Sequence, residues 1–465
     1  MPATANIRMY NQNNLGDCFL IRFTSGEEEA YLLIDFGSYE GTNAKREKEI
    51  AEDIMKTIGN KKLTIVLTHQ HKDHLSGFLT AGDILKGKNK PERELWLSYL
   101  DSETSKEGNI IRSATEKYWK KNAKTEPLLK KNFGHVPKVK NMINQKKGFD
   151  LFSEGQTGGA AITKLLEIAG KKPRFLTPGD AFLMPGISKG VKVYVLGPPF
   201  DNKQLTKMNP GKDEAVIGLN AMAELANMDL SGSLMLDALN SLDTQTPFEE
   251  SDFPFNRRFF DTDPANPIKA AYEDPDNDWR KIEHDWLSEI GRLSLYMDKL
   301  TNNTSLVLAF ELVESKRVLL FVGDAQIGNW QSWFNIKFKK TAVTGEDLLK
   351  RTVLYKAGHH SSHNATLKQG LELMNEKELV IMIPVNEKVS TKFGFAMLKP
   401  EMLRGYHRKS KGRVLRADTI EQDGSKFQLD FPFATRADLK DRLTIHQPNN
   451  TDPYLWMELT VKDED

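Results

Sequence analysis

Two short apolar segments near the start of the chain are separated by a polar turn. Residues 19–23 and 31–36 are mostly apolar, and Gly26 followed by a run of glutamates lies between them. Segments of this length around a glycine-containing turn predict a β-hairpin. In residues 44–58 the apolar positions instead recur every three or four residues, and that spacing predicts an amphipathic helix.

Further short apolar runs predict the strands of a larger core. Residues 63–67 form one such run, which leads directly into a cluster of histidines. The remaining predicted strands are residues 174–176, 192–196, 305–310, 318–322, 353–356 and 379–383. Together with a helix predicted over residues 279–299, this order indicates a mixed α/β (α+β) fold.

Two long segments interrupt this core. Residues 84–150 are rich in lysine and have weak apolar periodicity, so we predict a basic helical insertion there. Residues 205–299 begin rich in Met and Leu and become acidic and Pro-rich over residues 243–278, which indicates a second insertion. The predicted organisation is the first half of the core over 1–83, the basic insertion over 84–150, core strands over 151–204, the second insertion over 205–299, the second half of the core over 300–435 and a C-terminal extension over 436–465.

The length and composition are compatible with one core that is enlarged by insertions. Of its 465 residues 39% are hydrophobic, so a sizeable core can form, and the insertions account for the length without tandem domains. The formal net charge is only +1, which gives no reason to expect a polyanion as partner. Such a partner has to be argued from local clusters of charge.

The sequence also predicts a cytoplasmic location. Cys18 is the only cysteine, so no intramolecular disulfide can form, and it lies in an apolar run where a buried thiol is expected. The first residues lack the basic start and long apolar stretch of a signal peptide, and no run of about 20 apolar residues occurs. We therefore expect no membrane partner, and the oligomeric state is left open.

Segment 68–74 concentrates potential metal ligands. His69, His71, Asp73 and His74 lie within six residues, directly after a predicted strand. Imidazole and carboxylate groups are the ligands of zinc and similar metals. Because only 10 histidines occur in the chain, a chance polar loop is the weaker explanation.

Three more predicted strands end in similar residues. Asp35 ends the second strand of the hairpin, Asp324 follows Gly323 after another strand, and residues 359–363 contain three histidines after a third. Taken alone, either aspartate would be interpreted as a turn residue. The histidines are harder to explain in that way.

In their order along the chain, these four strand ends resemble the motifs of the metallo-β-lactamase superfamily, whose members share an αββα sandwich with metals at one edge. The matching residues are Asp35 for the first motif, His69, His71, Asp73 and His74 for the second, Asp324 for the fourth and His359 for the fifth. The resemblance implies this sandwich, with two large insertions.

The resemblance also implies a site for one or two Zn²⁺ ions, with Mn²⁺ as an alternative. One ion would take His69, His71, Asp324 and a third-motif histidine, and the other Asp73, His74, Asp324 and His359. Only His135 and His284 lie between the second and fourth motifs, and neither follows a predicted strand. The first ion therefore lacks one ligand, whose place is taken by water, by an unidentified residue or by nothing.

Several segments are similar to the hydrolase domain of the DNA-uptake channel protein of competent bacteria. These are residues 16–21, 33–35, 302–308, 359–361, 412–418 and 423–424. The similarity covers roughly residues 5–82, 173–200 and 300–430 and leaves both insertions out. Since the membrane channel has no counterpart here, the resemblance implies a free-standing soluble relative.

Hydrolysis by a metal-activated water is the chemistry that the resemblance implies. A divalent cation lowers the pKa of its water from about 15.7 to about 7, and two ions about 3.5–4 Å apart hold both the attacking and the leaving oxygen of a phosphodiester. Asp73 would bind metal and orient the water, and Asp35 would accept the second N–H of a ligand histidine. His360 and His363 would protonate the leaving group or contact phosphate, unless they are supporting or surface histidines.

Local charge is the main guide to the substrate. The stretch from Arg404 to Arg416 is basic, as is the Lys-rich insertion, and such clusters suit phosphates. The acidic segment 243–278 argues against simple wrapping by nucleic acid. The predicted substrate contacts are Asn303, Ser305, Arg408 and Arg413.

The favoured function is a metal-dependent phosphodiesterase or nuclease acting on nucleic acid or a nucleotide. One alternative is a hydrolase of a lactone, thioester or amide. Another is a metal-poor binding or regulatory protein of the same fold that docks protein partners through its insertions. Because an intact second motif has little purpose in the last of these, we expect an enzyme.

Overall fold

The chain divides into two compact units. The computed structural model describes residues 2–39, 44–87, 92–113, 130–131, 157–207, 299–362, 364–392, 395, 397–419, 439, 441–448 and 454–464. One unit comprises Met1–Ala114, Glu154–Leu219 and Lys299–Asp465, and the other comprises Thr115–Ser153 and Asn220–Asp298. Apart from residues 130–131, all described residues belong to the first unit. Most of the two predicted insertions, and the helix predicted over residues 279–299 except its last residue, therefore lie outside the described residues.

Eight strands form the first sheet. They are β1 (Ala3–Tyr10), β2 (Cys18–Ser25), β3 (Glu28–Phe36), β4 (Leu63–Val66), β5 (Arg93–Ser98), β6 (Arg174–Leu176), β14 (Leu443–His446) and β15 (Trp456–Lys462). Their order in space is β14-β15-β1-β2-β3-β4-β5-β6. Neighbours from β3 to β6 are parallel, and the other pairs are antiparallel.

Seven strands form the second sheet. They are β7 (Ala181–Leu183), β8 (Val191–Gly197), β9 (Val307–Leu312), β10 (Val318–Phe321), β11 (Thr352–Lys356), β12 (Val380–Ile383) and β13 (Val414–Arg416). Their order in space is β13-β12-β11-β10-β9-β8-β7. Neighbours from β10 to β13 are parallel, and those from β7 to β10 are antiparallel. The fold is therefore mixed α/β with two mixed sheets, in agreement with the predicted α+β class.

The two sheets pack face to face through a shared apolar core. Alternate side chains of the strands in both sheets are buried in one cluster. Within it, the rings of Phe19 on β2 and Phe321 on β10 lie 5.6 Å apart in an edge-to-face arrangement, and those of Phe23 and Phe310 lie 5.4 Å apart. Removing these faces from water is the main favourable contribution to the packing of the sheets.

Helices cover the outer faces of the sheets. They are α1 (Ala44–Ile58), α2 (Lys72–Lys86), α3 (Thr157–Ala169), α4 (Asn202–Leu205), α5 (Ile327–Ser332), α6 (Gly345–Lys350), α7 (Lys368–Leu373), α8 (Glu387–Lys392) and α9 (Pro400–Lys409). Helices α1, α2 and α3 pack in series beside β3 and β5. Helices α5, α6, α7 and α9 share a second apolar cluster with the other face of the second sheet. None of the described helices combines the length and apolar character needed to cross a bilayer.

The local patterns predicted most of these elements. The hairpin is confirmed by the antiparallel pairing of β2 with β3, in which Ile21 lies opposite Leu32. The predicted helix over residues 44–58 has the same bounds as α1. Each predicted strand of the core overlaps one observed strand. Such strands and helices are predictable because the apolar residues that they bury follow a regular pattern over a short segment.

Two parts of the core fall where none was predicted. Strand β5 lies inside residues 84–150, yet it pairs with β4 and β6, so this part of the range is not a helical insertion. Residues 436–465 were predicted to be an extension, but β14 and β15 extend the first sheet beside β1. The apolar residues of β5 are few and flanked by charge, while β15 alternates buried and partly exposed residues along its length.

Candidate metal centre

The carboxyl ends of strands from both sheets meet at one edge of the sandwich. The chain leaves β4 through Thr68, whose carbonyl accepts a hydrogen bond from Leu306 N at 2.8 Å, just before β9. After β10, Gly323 adopts a φ of +53°, and a Cβ there would lie 2.8 Å from Cβ of Thr68. Only glycine therefore lets the end of β10 approach β4 this closely. This approach brings Asp324 to the residues that follow β4.

Asp35 fixes the ring orientation of two histidines. Its Oδ2 accepts a hydrogen bond from Nδ1 of His74 at 2.8 Å and another from the Thr68 hydroxyl at 2.7 Å. Because that hydroxyl donates to Asp35, it accepts from Nδ1 of His69, which lies 3.1 Å away. Both imidazoles therefore carry the proton on Nδ1 and direct Nε2 towards the centre. A carboxylate behind a ligand histidine is the usual support of a metal site.

His74 and Asp324 face each other with unused polar atoms. Nε2 of His74 lies 3.3 Å from Oδ2 of Asp324. Both atoms are buried, and apart from their contact with each other neither has a hydrogen-bond partner among the described residues. Burial opposes a positive charge on His74, but Asp324 and Asp73 raise its pKa well above the ordinary value. A buried point with this negative potential is suited to a cation.

His360 joins the same cluster from the end of β11. Its Nδ1 lies 2.6 Å from the carbonyl oxygen of Pro384, which can only accept, so Nδ1 carries a proton. Its Nε2 lies 2.8 Å from Oδ2 of Asp73. Asp73, His74, Asp324 and His360 each offer a ligand atom, and these atoms all lie within 4.8 Å of one another. We call them the four-residue cluster.

The donor set of the four-residue cluster fits a divalent cation. Two imidazole nitrogens and two carboxylate oxygens are the ligands that zinc and manganese accept. The sequence predicted His359 as the fourth member, but the structure brings His360 there instead. Residues 359–361 have φ values of +43°, +48° and +71°, and this left-handed backbone turns adjacent side chains in different directions.

His69 and His71, which we call the histidine pair, lie beside this cluster. Nε2 of His69 is 3.1 Å from Nδ1 of His71 and 4.0 Å from Oδ2 of Asp324. Two nitrogens bound to one tetrahedral zinc are about 3.3 Å apart, given Zn–N bonds of about 2.0–2.1 Å. Burial lowers the pKa of both imidazoles, so both are neutral at neutral pH and keep a lone pair.

A buried ion pair, which the sequence did not predict, supports the cluster from behind. Lys356, at the end of β11, pairs with Asp17, and both side chains are only 2% exposed. The ammonium also donates to Gly323 O at 2.8 Å and lies 3.4 Å from Oδ1 of Asp324. The available signals were a lysine ending an apolar strand and an aspartate directly before another.

Asp17, Asp35 and His74 form a second group of close ligand atoms, but it is less suited to a cation. The Nδ1 of His74 already donates to Asp35, and the Asp17 carboxylate is already paired with Lys356. We therefore assign these carboxylates to supporting the ligands.

Two of the predicted substrate contacts point into the protein. Asn303 is fully buried, and its amide donates to Leu205 O at 2.7 Å and accepts from Gln326 N at 3.1 Å. Ser305 is also fully buried, and its hydroxyl accepts from Asp324 N at 2.9 Å. Neither side chain presents a group to a ligand, so both hold loops in place instead.

The predicted arginine contacts are engaged with other groups. Arg408 on α9 pairs with Glu372 at 2.8 Å, although just over half of its side chain is exposed. Arg413 donates to the carbonyl oxygens of Leu379 and Glu376, at 3.0 and 2.7 Å. Arg413 therefore closes the loop before β13. His363, the remaining predicted catalytic residue, lies outside the described residues.

The residues of the site differ slightly in their exposure to solvent. His74 and Asp324 are at most 1% exposed, whereas His71 and Asp73 are 9% and 8% exposed, and His359 is partly exposed. A ligand entering the site would therefore meet these last three residues first.

No protein-family model matches the chain, and no curated protein matches it either.

Proposed function

We propose that this protein is a metal-dependent hydrolase with a metallo-β-lactamase-type sandwich. The observation that carries the proposal is the buried pair of ligand atoms Nε2 of His74 and Oδ2 of Asp324, which lie 3.3 Å apart within the four-residue cluster. A cation between them would bind both atoms, and it would account for two ligand atoms that face each other in the core.

The four-residue cluster would hold a divalent cation, with Zn²⁺ favoured and Mn²⁺ as the alternative. A cation there supplies Lewis-acid chemistry, lowering the pKa of water to about 7 and stabilising negative charge on a substrate oxygen. Asp35 fixes a proton on Nδ1 of His74, and the carbonyl of Pro384 does the same for His360, so Nε2 is the nitrogen that each imidazole would offer to the cation.

Asp73 is the cluster member best placed to act on a substrate. Its side chain is 12% exposed, while those of His74 and Asp324 are almost inaccessible. A carboxylate at the open side can orient water and accept its proton. His71 and His359, at the same side, would contact the substrate or its leaving group.

We favour a phosphodiester of a nucleic acid or nucleotide as the substrate. The support is the similarity of the segments around residues 16–21 and 359–361 to a hydrolase domain of DNA uptake, and the negative charge that a phosphate brings to a cation.

An uncharged ester, lactone or thioester is the second candidate. It is favoured by the neutralised basic stretch on α9 and the loop after it, where Arg404, Arg408 and Lys411 each pair with a glutamate. These pairs leave little free positive charge on this surface to attract a polyanion.

Metal analysis and one variant test this function. The purified protein is analysed for zinc and manganese, and wild type and Asp73→Asn are then assayed on a generic phosphodiester, single-stranded DNA, RNA and an aryl ester. We expect bound metal and at least about a 100-fold loss of activity in the variant. Asp83→Asn is the matched control, because Asp83 lies on the same helix with its side chain 81% exposed.

Each outcome decides a part of the proposal. If neither metal co-purifies or binds on addition, the protein is not a metallo-hydrolase and the binding or regulatory alternative holds. Activity on the ester with none on any phosphodiester would overturn the preferred substrate. Equal loss in Asp83→Asn would show that the effect of Asp73→Asn is not specific.

A further inference from the structure

We propose that a buried chain of hydroxyl groups positions His360 for its place in the four-residue cluster. The chain consists of the hydroxyls of Tyr355, Thr366 and Tyr406, which we call the hydroxyl chain. Its members are positioning residues that act through the turn of residues 358–361. The inference rests on the proposed function, because it takes the four-residue cluster to be the cation site.

The turn that carries His360 has a strained backbone. Residues 359–361 have φ values of +43°, +48° and +71°, although none of the three is glycine. Other residues adopt this conformation only rarely, and it persists only where the surrounding contacts determine the backbone. The hydroxyl chain supplies such contacts at both ends of the turn.

The two ends of the hydroxyl chain both lie on this turn. At one end the Tyr355 hydroxyl accepts a hydrogen bond from Gly358 N at 3.2 Å. The same hydroxyl lies 2.7 Å from Oγ1 of Thr366, and this oxygen lies 2.7 Å from the hydroxyl of Tyr406. At the other end the Tyr406 hydroxyl lies next to the side chain of Ser361. The hydroxyl chain thus connects β11 and α9 to the turn that lies between them in sequence.

Each member of the hydroxyl chain depends on the next. Because the Tyr355 hydroxyl accepts from a backbone N–H, it can donate its own proton to Thr366, and Thr366 can donate to Tyr406. Tyr355 and Tyr406 are fully buried, and Thr366 is only 6% exposed. Removing one hydroxyl would therefore leave a buried partner unpaired, which is costly, and the turn would lose a constraint.

His360 is the residue most sensitive to such a loss. Both of its ring nitrogens contact groups from other parts of the fold, since Nδ1 lies 2.6 Å from Pro384 O and Nε2 lies 2.8 Å from Oδ2 of Asp73. Hydrogen bonds weaken steeply when distance or angle departs from the usual range. A small shift of the turn would therefore disturb one of these contacts and the direction of Nε2.

Zinc titration of hydroxyl-deletion variants tests this inference. The full chain, stripped of metal, is titrated with Zn²⁺ by calorimetry as wild type, Tyr406→Phe, Thr366→Val, Thr366→Ser and Tyr194→Phe, and thermal unfolding checks each fold. Thr366→Ser keeps the hydroxyl that Thr366→Val removes. Tyr194→Phe is the matched control, because Tyr194 is also buried in the second sheet but donates to Glu311, at 2.7 Å. We expect about a 10-fold loss of affinity in Tyr406→Phe and Thr366→Val, and wild-type affinity in the other two.

A combined variant shows whether the effect passes through His360. Asparagine tolerates positive φ, so His360→Asn keeps the backbone turn but removes the imidazole. If the hydroxyl chain acts by positioning this ring, adding Tyr406→Phe to His360→Asn should cause no further loss of zinc affinity. A 10-fold loss in both backgrounds, or no loss in either, overturns the inference and leaves the proposed function standing.

A measurement without metal separates this inference from the proposed function. In metal-free protein labelled in the histidine rings, the proton on Nδ1 of His360 is followed through its exchange with water. We expect this exchange to be at least about 10-fold faster in Tyr406→Phe and Thr366→Val than in wild type and Tyr194→Phe. Unchanged exchange in both deletion variants overturns the inference. A wild type that binds no zinc overturns the proposed function, and the exchange rate then still decides whether the hydroxyl chain positions His360.

Discussion

Oδ2 of Asp35 lies 2.8 Å from Nδ1 of His74, and through Thr68 the same oxygen also sets the proton position on His69. Asp35 itself has a φ of +56° and is fully buried. One carboxylate thus orients one imidazole of the four-residue cluster and one of the histidine pair. Replacing Asp35 should therefore disturb the orientation of His74 and of His69 together.

Asp35→Asn should weaken zinc binding by about 10–100-fold, because an amide donates as well as accepts and no longer favours Nδ1–H on His74. Calorimetric titration measures the affinity, and thermal unfolding shows whether the fold is retained. Asp83→Asn serves again as the exposed control. An unchanged affinity in folded Asp35→Asn would contradict the role of this carboxylate in orienting the histidines.

The buried pair of Asp17 and Lys356 should affect stability and metal binding separately. Lys356→Met removes the partner of a buried carboxylate and should lower the free energy of unfolding by about 3–5 kcal/mol. In Asp17→Asn with Lys356→Met no buried charge of the pair remains, so most of that stability should return. Denaturant unfolding of the single and double variants measures both effects.

Metal affinity should not return in the double variant, because Lys356 also lies 3.4 Å from Oδ1 of Asp324 and helps to keep Oδ2 towards the cluster. If the double variant regains full zinc affinity, Lys356 has only a structural role. If the single variant is as stable as wild type, the pair is not a significant part of the core.

Elements formed by a few consecutive residues could be predicted from the sequence, whereas elements that depend on residues far apart in the chain could not. Short segments of consecutive residues contain the metal-ligand residues of segment 68–74 and form the hairpin of β2 and β3. Strands β1 and β15 are different, because Ala5 pairs with Val461 across nearly the whole chain, and neither strand carries a strong apolar run. Their burial follows from the pairing and not from their own composition.

The same distinction applies within the site. Asp17 and Lys356 are brought together by two sheets, so no spacing along the chain relates them. His359 and His360 are adjacent, and only the left-handed backbone decides which of them reaches Asp73. The sequence motif identifies both histidines as candidate ligands, but it does not show which of them lies beside Asp73.

Gly323→Ala should disturb the meeting of β4 and β10. The new Cβ would lie 2.8 Å from Cβ of Thr68, and the φ of +53° disfavours any side chain. Gly59→Ala is the matched control, because its φ is +57° and nothing lies within 4 Å of the added Cβ. We expect Gly59→Ala to cost about 1 kcal/mol and Gly323→Ala clearly more, with loss of zinc affinity only in the latter. Equal losses in denaturant unfolding would mean that the contact with Thr68 can relax.

Zinc binding should weaken as the pH falls. Burial opposes protonation of His74 and His360, but the carboxylates around them raise the pKa of each above its ordinary value. Their metal-free forms therefore hold these protons more tightly than a free imidazole does, and Zn²⁺ must displace the protons to bind. Each displaced proton raises the dissociation constant about tenfold per pH unit as the pH is lowered. Calorimetry at one pH in buffers of different ionisation enthalpy counts the protons released. Wild type should release more than His360→Asn, and an equal count in the two proteins would show that His360 is not a ligand whose proton is displaced.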